Sequence, residues 1–415
     1  MKKFLLSVIL IFFIGCGGGS ITEEYTPSEN NVTAVESCSE VLSYLNYLRE
    51  GAGMIDLSCN DALKIAAYNH AYYLYVNNAT GHEEDADKEG YTGEWPSDRA
   101  VYAGYLSRYI LENVSVGQKD YNASIDGLFS AIYHRFGFLN TTIDNIGIGI
   151  KNVDYVYDMG NSDLNSLCGG ESYDGSGSYY IDVCADEDLK IYEDDYNNAI
   201  NDIKKKNPDL IIWPYKNAID IPPVFYNETP DPLPDYNVSG YPVSIQFNDY
   251  YFTSEINVTS FKLYDENGNE ITNVRLMDQD SDPNDEFNAY EFALFPLDRL
   301  EWNETYKAEV KYTYEGNDYN ISWQFTTRAL PYPYYRIDTS DETIYIDNNK
   351  TYAYYFVPTD GNDLIHSYKY TYPSGDSVET GMIDYNTIWV KVEGNSGDEF
   401  DFEMDNGDKL TLIIK

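Results

Sequence analysis

Basic residues are scarce in this chain of 415 residues: 27 Lys and Arg stand against 70 Asp and Glu, a net charge of −43. Such a field repels a phosphate backbone, which excludes nucleic acid as a partner. Long apolar runs are equally rare. The longest, Phe4 to Ile14, falls short of the ~20 residues that a membrane-spanning helix needs. Histidine occurs only four times, so imidazole chemistry has few candidates. No Gly-x-Ser-x-Gly nucleophile turn is present, which argues against a serine hydrolase of that type. Cysteine is limited to five residues.

What is there begins with Lys2-Lys3, the apolar run, and then small Gly15 and Cys16, the order of an export signal. Phe13-Ile14-Gly15-Cys16 resembles a lipobox, which implies removal of residues 1–15 and lipid on Cys16, with Gly17-Gly18-Gly19-Ser20 as a tether. The expected location is therefore outside the cytoplasm, at an outer membrane, cell surface or periplasmic face, with the lipid anchor as the membrane contact. Setting Cys16 aside leaves Cys38, Cys59, Cys168 and Cys184. Four cysteines allow three pairings, and neighbours in sequence, Cys38 with Cys59 and Cys168 with Cys184, are the simplest. Each closes a loop of roughly 20 residues, worth ~3 kcal/mol, and an oxidising compartment keeps it closed. The 43 tyrosines suit strands with half-buried faces.

Apolar spacing predicts a helix from Ser39 through Val41, Leu42, Leu45 and Leu48, ended by Gly51-Ala52-Gly53. A second helix starts at the N-cap Asn60 and runs to about Asn78. A third is expected across Tyr121 to Tyr133, followed by paired strands at Asn145–Ile150 and Tyr155–Tyr157. Helices followed by paired strands indicate an α/β layer domain over residues 37–222, after a flexible tether over 16–36. Within it, a Gly/Ser-rich loop holds Cys168 and Cys184, and a short helix spans Asp194 to Lys205. Glu228-Thr229-Pro230-Asp231-Pro232-Leu233-Pro234 reads as a stiff linker. Beyond it the helix signal stops. Strand-like runs at 243–247, 259–264, 290–295, 305–314 and 319–327 predict an immunoglobulin-type β-sandwich over 223–328. A second all-β domain follows over 329–415, with strands at 343–346, 352–357, 366–372, 388–392 and 409–414.

Three of the four histidines fall in the first domain. The ordered pieces are Leu45-Asn46-Tyr47-Leu48-Arg49-Glu50-Gly51, Asn69-His70-Ala71, Gly81-His82-Glu83, Leu111-Glu112-Asn113-Val114, Tyr133-His134-Arg135 and Asn145-Ile146-Gly147-Ile148-Gly149. Together they resemble the CAP superfamily of cysteine-rich secretory, venom-antigen and pathogenesis-related proteins, and most of all its bacterial secreted branch. The resemblance covers about residues 37–161. It implies an α-β-α sandwich with a cleft holding two histidines and one or two glutamates, at His82, Glu112 and His134. The sequence departs from the pattern before His134, where Gly127-Leu128-Phe129-Ser130 offers no second glutamate and Tyr133 replaces a glycine.

Two imidazoles and a carboxylate make a three-ligand set for zinc or another divalent cation, with an open position that activates water in a hydrolase. His70 occupies a core-facing helix position and reads as structural. The acidic run Asp278 to Asp285 imitates a calcium loop in the β domain, although Pro283 stands where such a loop needs glycine and Ala289 where it needs a bidentate carboxylate. Eleven Asn-x-Ser/Thr triplets occur, and seven of them have an acidic residue two places earlier: Asn31, Asn122, Asn237, Asn257, Asn303, Asn320 and Asn349. Composition alone would give about two, so these are the glycosylation candidates. The expected function is binding of a metal, small ligand, extracellular protein, lipid or glycan in the cleft. Metal-assisted hydrolysis and a purely structural adhesin are the alternatives.

Overall fold

The computed structural model describes residues 20–25 and 38–415; Cys16 and Asn31 lie outside the described residues. Two compact units are present. The larger runs to Leu330 and takes in Pro358–Asp363; the smaller holds the strand Ser20–Tyr25, Pro331–Val357 and Leu364–Lys415. No helix among the described residues is long and apolar enough to cross a membrane.

The larger unit opens with the α-β-α sandwich. Its sheet orders the strands Ser58–Cys59, Asn145–Lys151, Asp154–Gly160 and Ile110–Ser115. Helix Asp61–Asn77 covers one face, capped by Asn60, whose side chain accepts from the amides of Ala62 and Leu63. The alternating glycines explain how closely it lies. A Cβ on Gly147 would stand 1.9 Å from the Leu63 carbonyl carbon, and one on Gly149 would stand 2.1 Å from that of Ala67. On the other face Ile146, Ile148, Ile150 and Tyr157 share a core with Val41 and Leu45 of helix Cys38–Gly51 and with Ile125 and Phe129. The expected helix across 121–133 is two helices, Tyr121–Ser130 and Ile132–Phe138, because Ala131 is extended. The Ser130 hydroxyl bonds back to the Gly127 carbonyl, and the Glu228 carboxylate takes the Ile132 amide at 2.6 Å. A remote carboxylate thus caps the second helix.

Both disulfides join sequence neighbours, Cys38 to Cys59 and Cys168 to Cys184, across separations of 21 and 16 residues.

A β-sandwich follows in the same unit. One sheet orders Val274–Met277, Glu291–Pro296, Val243–Phe247 and Leu210–Trp213; the other orders Ile256–Tyr264, Thr305–Tyr314, Asn317–Thr327 and Ala218–Ile221. Leu210–Trp213 and Ala218–Ile221 lie in the stretch that the sequence assigns to the preceding domain, and each supplies an edge of a sandwich sheet. The proline-rich stretch is no free linker. Val224–Tyr226 and Val238–Gly240 pair as a hairpin around it, and Leu233 is fully buried with Phe225, Ile132, Phe136 and Phe287. The α-β-α layers and the sandwich share one core, in which Phe129 stacks on Trp213 at 4.3 Å between ring centroids. Arg135 seals the seam by donating to the Phe129 and Pro242 carbonyls and to the Ser244 hydroxyl.

The smaller unit is a second sandwich. One sheet orders Ser20–Tyr25, Tyr368–Pro373, Glu399–Met404, Lys409–Ile414 and Asp341–Ile346; the other orders Tyr334–Ile337, Tyr352–Phe356, Thr387–Glu393 and Ser377–Asp384. Its own core includes Ile344, Tyr354, Ile388, Val390, Phe400 and Leu412. The fold class is therefore an α-β-α domain followed by two all-β sandwiches.

Candidate functional site

Strand register places the candidate residues. Glu112, on the edge strand Ile110–Ser115, stands opposite Asp158, which in turn stands opposite Gly147. Residues in register share a face, so Glu112 and Asp158 point toward helix Asp61–Asn77, where His70 lies. Asn113 points to the opposite face.

Beneath the cleft lies a buried charged network. His70 is fully buried, with Nδ1 2.9 Å from a Glu84 oxygen and Nε2 2.9 Å from the Gly81 carbonyl. Both ring nitrogens thus meet an oxygen, and the ring is sealed on both sides. Glu84 also accepts from the Thr92 amide. Arg99, on helix Pro96–Tyr102, is fully buried and sets Nη2 2.9 and 2.8 Å from the two Glu112 oxygens. Burial alone would raise the Glu112 pKa. The hydrogen bond from His82 and the charge of Arg99 outweigh it and hold the carboxyl down to about 2. Asp158 behaves oppositely: burial first, and then the negative Glu112, push it well above the usual carboxylate range. Neither of its oxygens accepts from an N–H or O–H donor among the described residues, and the side chain it meets is the Glu112 carboxylate. His70 and Arg99 are set against the carboxylates of Glu84 and Glu112, so basic groups face acidic ones throughout the buried network.

His82 is the group this network presents. Its Nδ1 lies 2.8 Å from Glu112, and its side chain is 41% exposed. An ionised carboxylate can only accept, so Nδ1 carries a proton, and in the neutral form of the ring Nε2 keeps a lone pair. His134 is held in the same manner by another carboxylate. Its Nδ1 lies 2.7 Å from Glu228, and its backbone carbonyl accepts from the Asn113 side chain at 2.8 Å. Consecutive edge-strand residues thus hold the ring of one histidine and the backbone of the other.

The expected trio is therefore rearranged. The structure joins His82 to Glu112 and gives His134 to Glu228, and among the described residues no group of three His, Cys, Asp or Glu is arranged to hold a metal. Glu112 spends its lone pairs on Arg99 and His82, which leaves it an orienting partner rather than a direct ligand. The acidic loop at 278–285 is similarly committed. Asp282 takes the Tyr133 hydroxyl and the amides of Asn284, Glu286 and Phe287, and Asp278 takes the Ser281 hydroxyl and amide. Asn122, Asn237, Asn257, Asn303, Asn320 and Asn349 are all exposed.

Glu84, Arg99, Asp158 and Glu228 escape the sequence reading. Arg99 alone carries a signal: a cation on a helix face next to Ala100, in a chain so short of cations, implies a buried carboxylate partner. Glu228 has none, since 94 residues separate it from His134.

The profile of the cysteine-rich secretory protein family, CAP, matches residues 42–185. That segment is a CAP domain. Among solved structures, an extracellular SCP-domain protein of Bacillus anthracis is 19% identical, with a TM-score of 0.27, over 29% of this chain and 38% of its own. The match thus spans well under half of that protein. An outer surface protein of Borrelia burgdorferi is 21% identical over 32% of this chain and 98% of its own, with a TM-score of 0.27. Fibronectin(III)-like modules of Clostridium thermocellum CbhA are 9% identical over 50% of this chain and 94% of theirs, with a TM-score of 0.16. No curated protein matches the chain.

Proposed function

We propose that the chain is an exported lipoprotein, anchored through Cys16, whose CAP cleft is a binding site for a divalent cation. Support for the anchor is the charged, apolar and small-residue order ending at Cys16, together with two disulfides that suit an oxidising compartment. Support for the cation rests on one observation: His82 and His134 each have Nδ1 on a carboxylate, so Nε2 is the ring nitrogen that the carboxylate leaves unengaged. Carboxylate–histidine pairs are the usual outer support of imidazole ligands. In this reading Nε2 of His82 and of His134 are the ligands, and Glu112 and Glu228 fix the ring orientation. A bound zinc would supply Lewis acidity, and the ion-paired residues would hold the rings still around it. The role proposed is recognition, with Glu112 and Glu228 engaged in holding the two rings.

Calorimetric titration of zinc into the purified chain tests this. One equivalent is expected to bind at pH 7.5, more weakly at pH 5.5 because imidazole ligands must be deprotonated, and His82→Ala and His134→Ala should each weaken it strongly. Wild-type affinity in His82→Ala would refute the reading.

A further inference from the structure

The segment directly behind the glycine tether is not a leash to the CAP domain. Ser20–Tyr25 is the edge strand of the smaller unit's sheet, antiparallel to Tyr368–Pro373, with Ser20 opposite Pro373 and Tyr25 opposite Tyr368. The pairing has local reasons. Ile21, Thr22 and Tyr25 are strand-forming types, and Glu24 stands at the register position opposite Lys369. Without this strand, Tyr368–Pro373 would present an open row of backbone donors and acceptors, the kind of edge that invites strand addition.

Register also fixes which end of the sheet the anchor meets. Pro373 is followed by the turn Ser374–Gly375–Asp376. Thr371 stands opposite Asp401 and Glu399 opposite Ile413, while Ile414 pairs with Ile346. The Ser20 end of the sheet therefore carries the turn at 374–376, the turn at 395–398, residues 347–350 and Lys415. Only Gly17, Gly18 and Gly19 separate Cys16 from Ser20, a reach of at most ~14 Å for extended chain.

We propose that the lipid on Cys16 holds the C-terminal β unit against the membrane by this end, with Ser20–Tyr25 as a strap that joins the lipid to the last domain of the chain. The inference rests on the lipoprotein reading above. The partner surface is lipid, and the contact is made by the acyl chains: this end carries Asp347, Asp376 and Asp398 against Lys350 and Lys415, so it has no basic excess with which to attract anionic headgroups. The domain that follows the anchor in sequence is thus not the one the anchor is built into.

The test uses full-length lipidated protein in phosphatidylcholine–phosphatidylglycerol vesicles containing a quencher-bearing lipid. A fluorophore is placed on Ser374→Cys or, at the far end of the same sheet, on Asn406→Cys. Quenching at 374 should exceed that at 406 by roughly three-fold or more, since a six-residue strand separates the ends by about 20 Å. Thr22→Pro combined with Glu23→Pro removes adjacent backbone donors, one of which faces the neighbouring strand. This variant should stay membrane-bound, lose the preference for 374, and speed amide exchange along Tyr368–Pro373. Equal quenching at both positions, or a double-proline variant identical to wild type, overturns the strap. Membrane retention of Cys16→Ser instead overturns the anchor, and the proposal with it; exchange along Tyr368–Pro373 then shows separately whether the strand pairing stands.

Discussion

At the scale of single residues, the two histidines that flank Glu112 differ in their surroundings. His70 is sealed between two acceptors and supports the network; His82 is exposed and faces outward. Removing His70 leaves buried Glu84 with Arg99, 3.7 Å away, as its remaining basic partner, a loss of up to about 3–5 kcal/mol for a broken buried pair. His70→Ala should therefore lower the melting temperature while zinc affinity per folded molecule stays near wild type, read by calorimetry on the same samples. Glu291, inside the β-sandwich, offers a test of sign. Burial raises its pKa from 4.5 to about 7, only partly offset by hydrogen bonds from Asn288 and Gln246. The native state then holds a proton that the unfolded chain releases, so stability falls as pH rises from about 4.5 to 7. The effect amounts to roughly 3 kcal/mol at most. Glu291→Gln should flatten that slope and raise stability at pH 8, as followed by urea unfolding at several pH values.

At the scale of elements, the contact between helix Asp61–Asn77 and strand Asn145–Lys151 is set by two missing side chains. A Cβ on Gly149 would meet the Ala67 carbonyl carbon at 2.1 Å, a backbone atom that cannot swing away. Gly149→Ala should cost more than the ~1–3 kcal/mol of an ordinary overpacked core position. Gly127, in helix Tyr121–Ser130, has nothing within 4 Å of its would-be Cβ. Gly127→Ala should stabilise by up to about 1 kcal/mol, and thermal melts of the two variants make the comparison. Local features of this kind were readable: the Asn60 cap, the alternating glycine strand and most sandwich strands carry their signal within a few residues, and the disulfides join cysteines that neighbour each other in sequence order. The break at Ala131 was not readable, because the carboxylate that caps the following helix comes from Glu228, remote in sequence. Leu210–Trp213 and Ala218–Ile221 were missed for a related reason. Each is a four-residue segment that becomes a strand through the sheet it joins.

At the scale of the whole molecule, the order of domains along the chain was legible, but their grouping was not. The proline-rich stretch around Leu233 reads as a spacer, yet its apolar residues are buried in the larger unit, where the CAP domain and the first sandwich share a core. Pro and acidic residues set local stiffness and solubility; they do not reveal that Leu233 has a pocket to fill. The candidate site was legible in the same partial way. His82, Glu112 and His134 stand out in the sequence as candidates, but Arg99 and Glu228, which hold Glu112 and His134, do not. In the proposed site Glu112 and Glu228 orient the two histidines through Nδ1 and leave Nε2 to bind. With only four histidines in the chain, long-range proton–nitrogen correlation spectra of the imidazole rings measure this directly. At pH 7.5 His82 and His134 should carry a proton on Nδ1, with Nε2 resonances that shift on adding zinc, while the His70 resonances stay in place. A His82 ring protonated at Nε2, with zinc leaving its resonances in place, would contradict this reading.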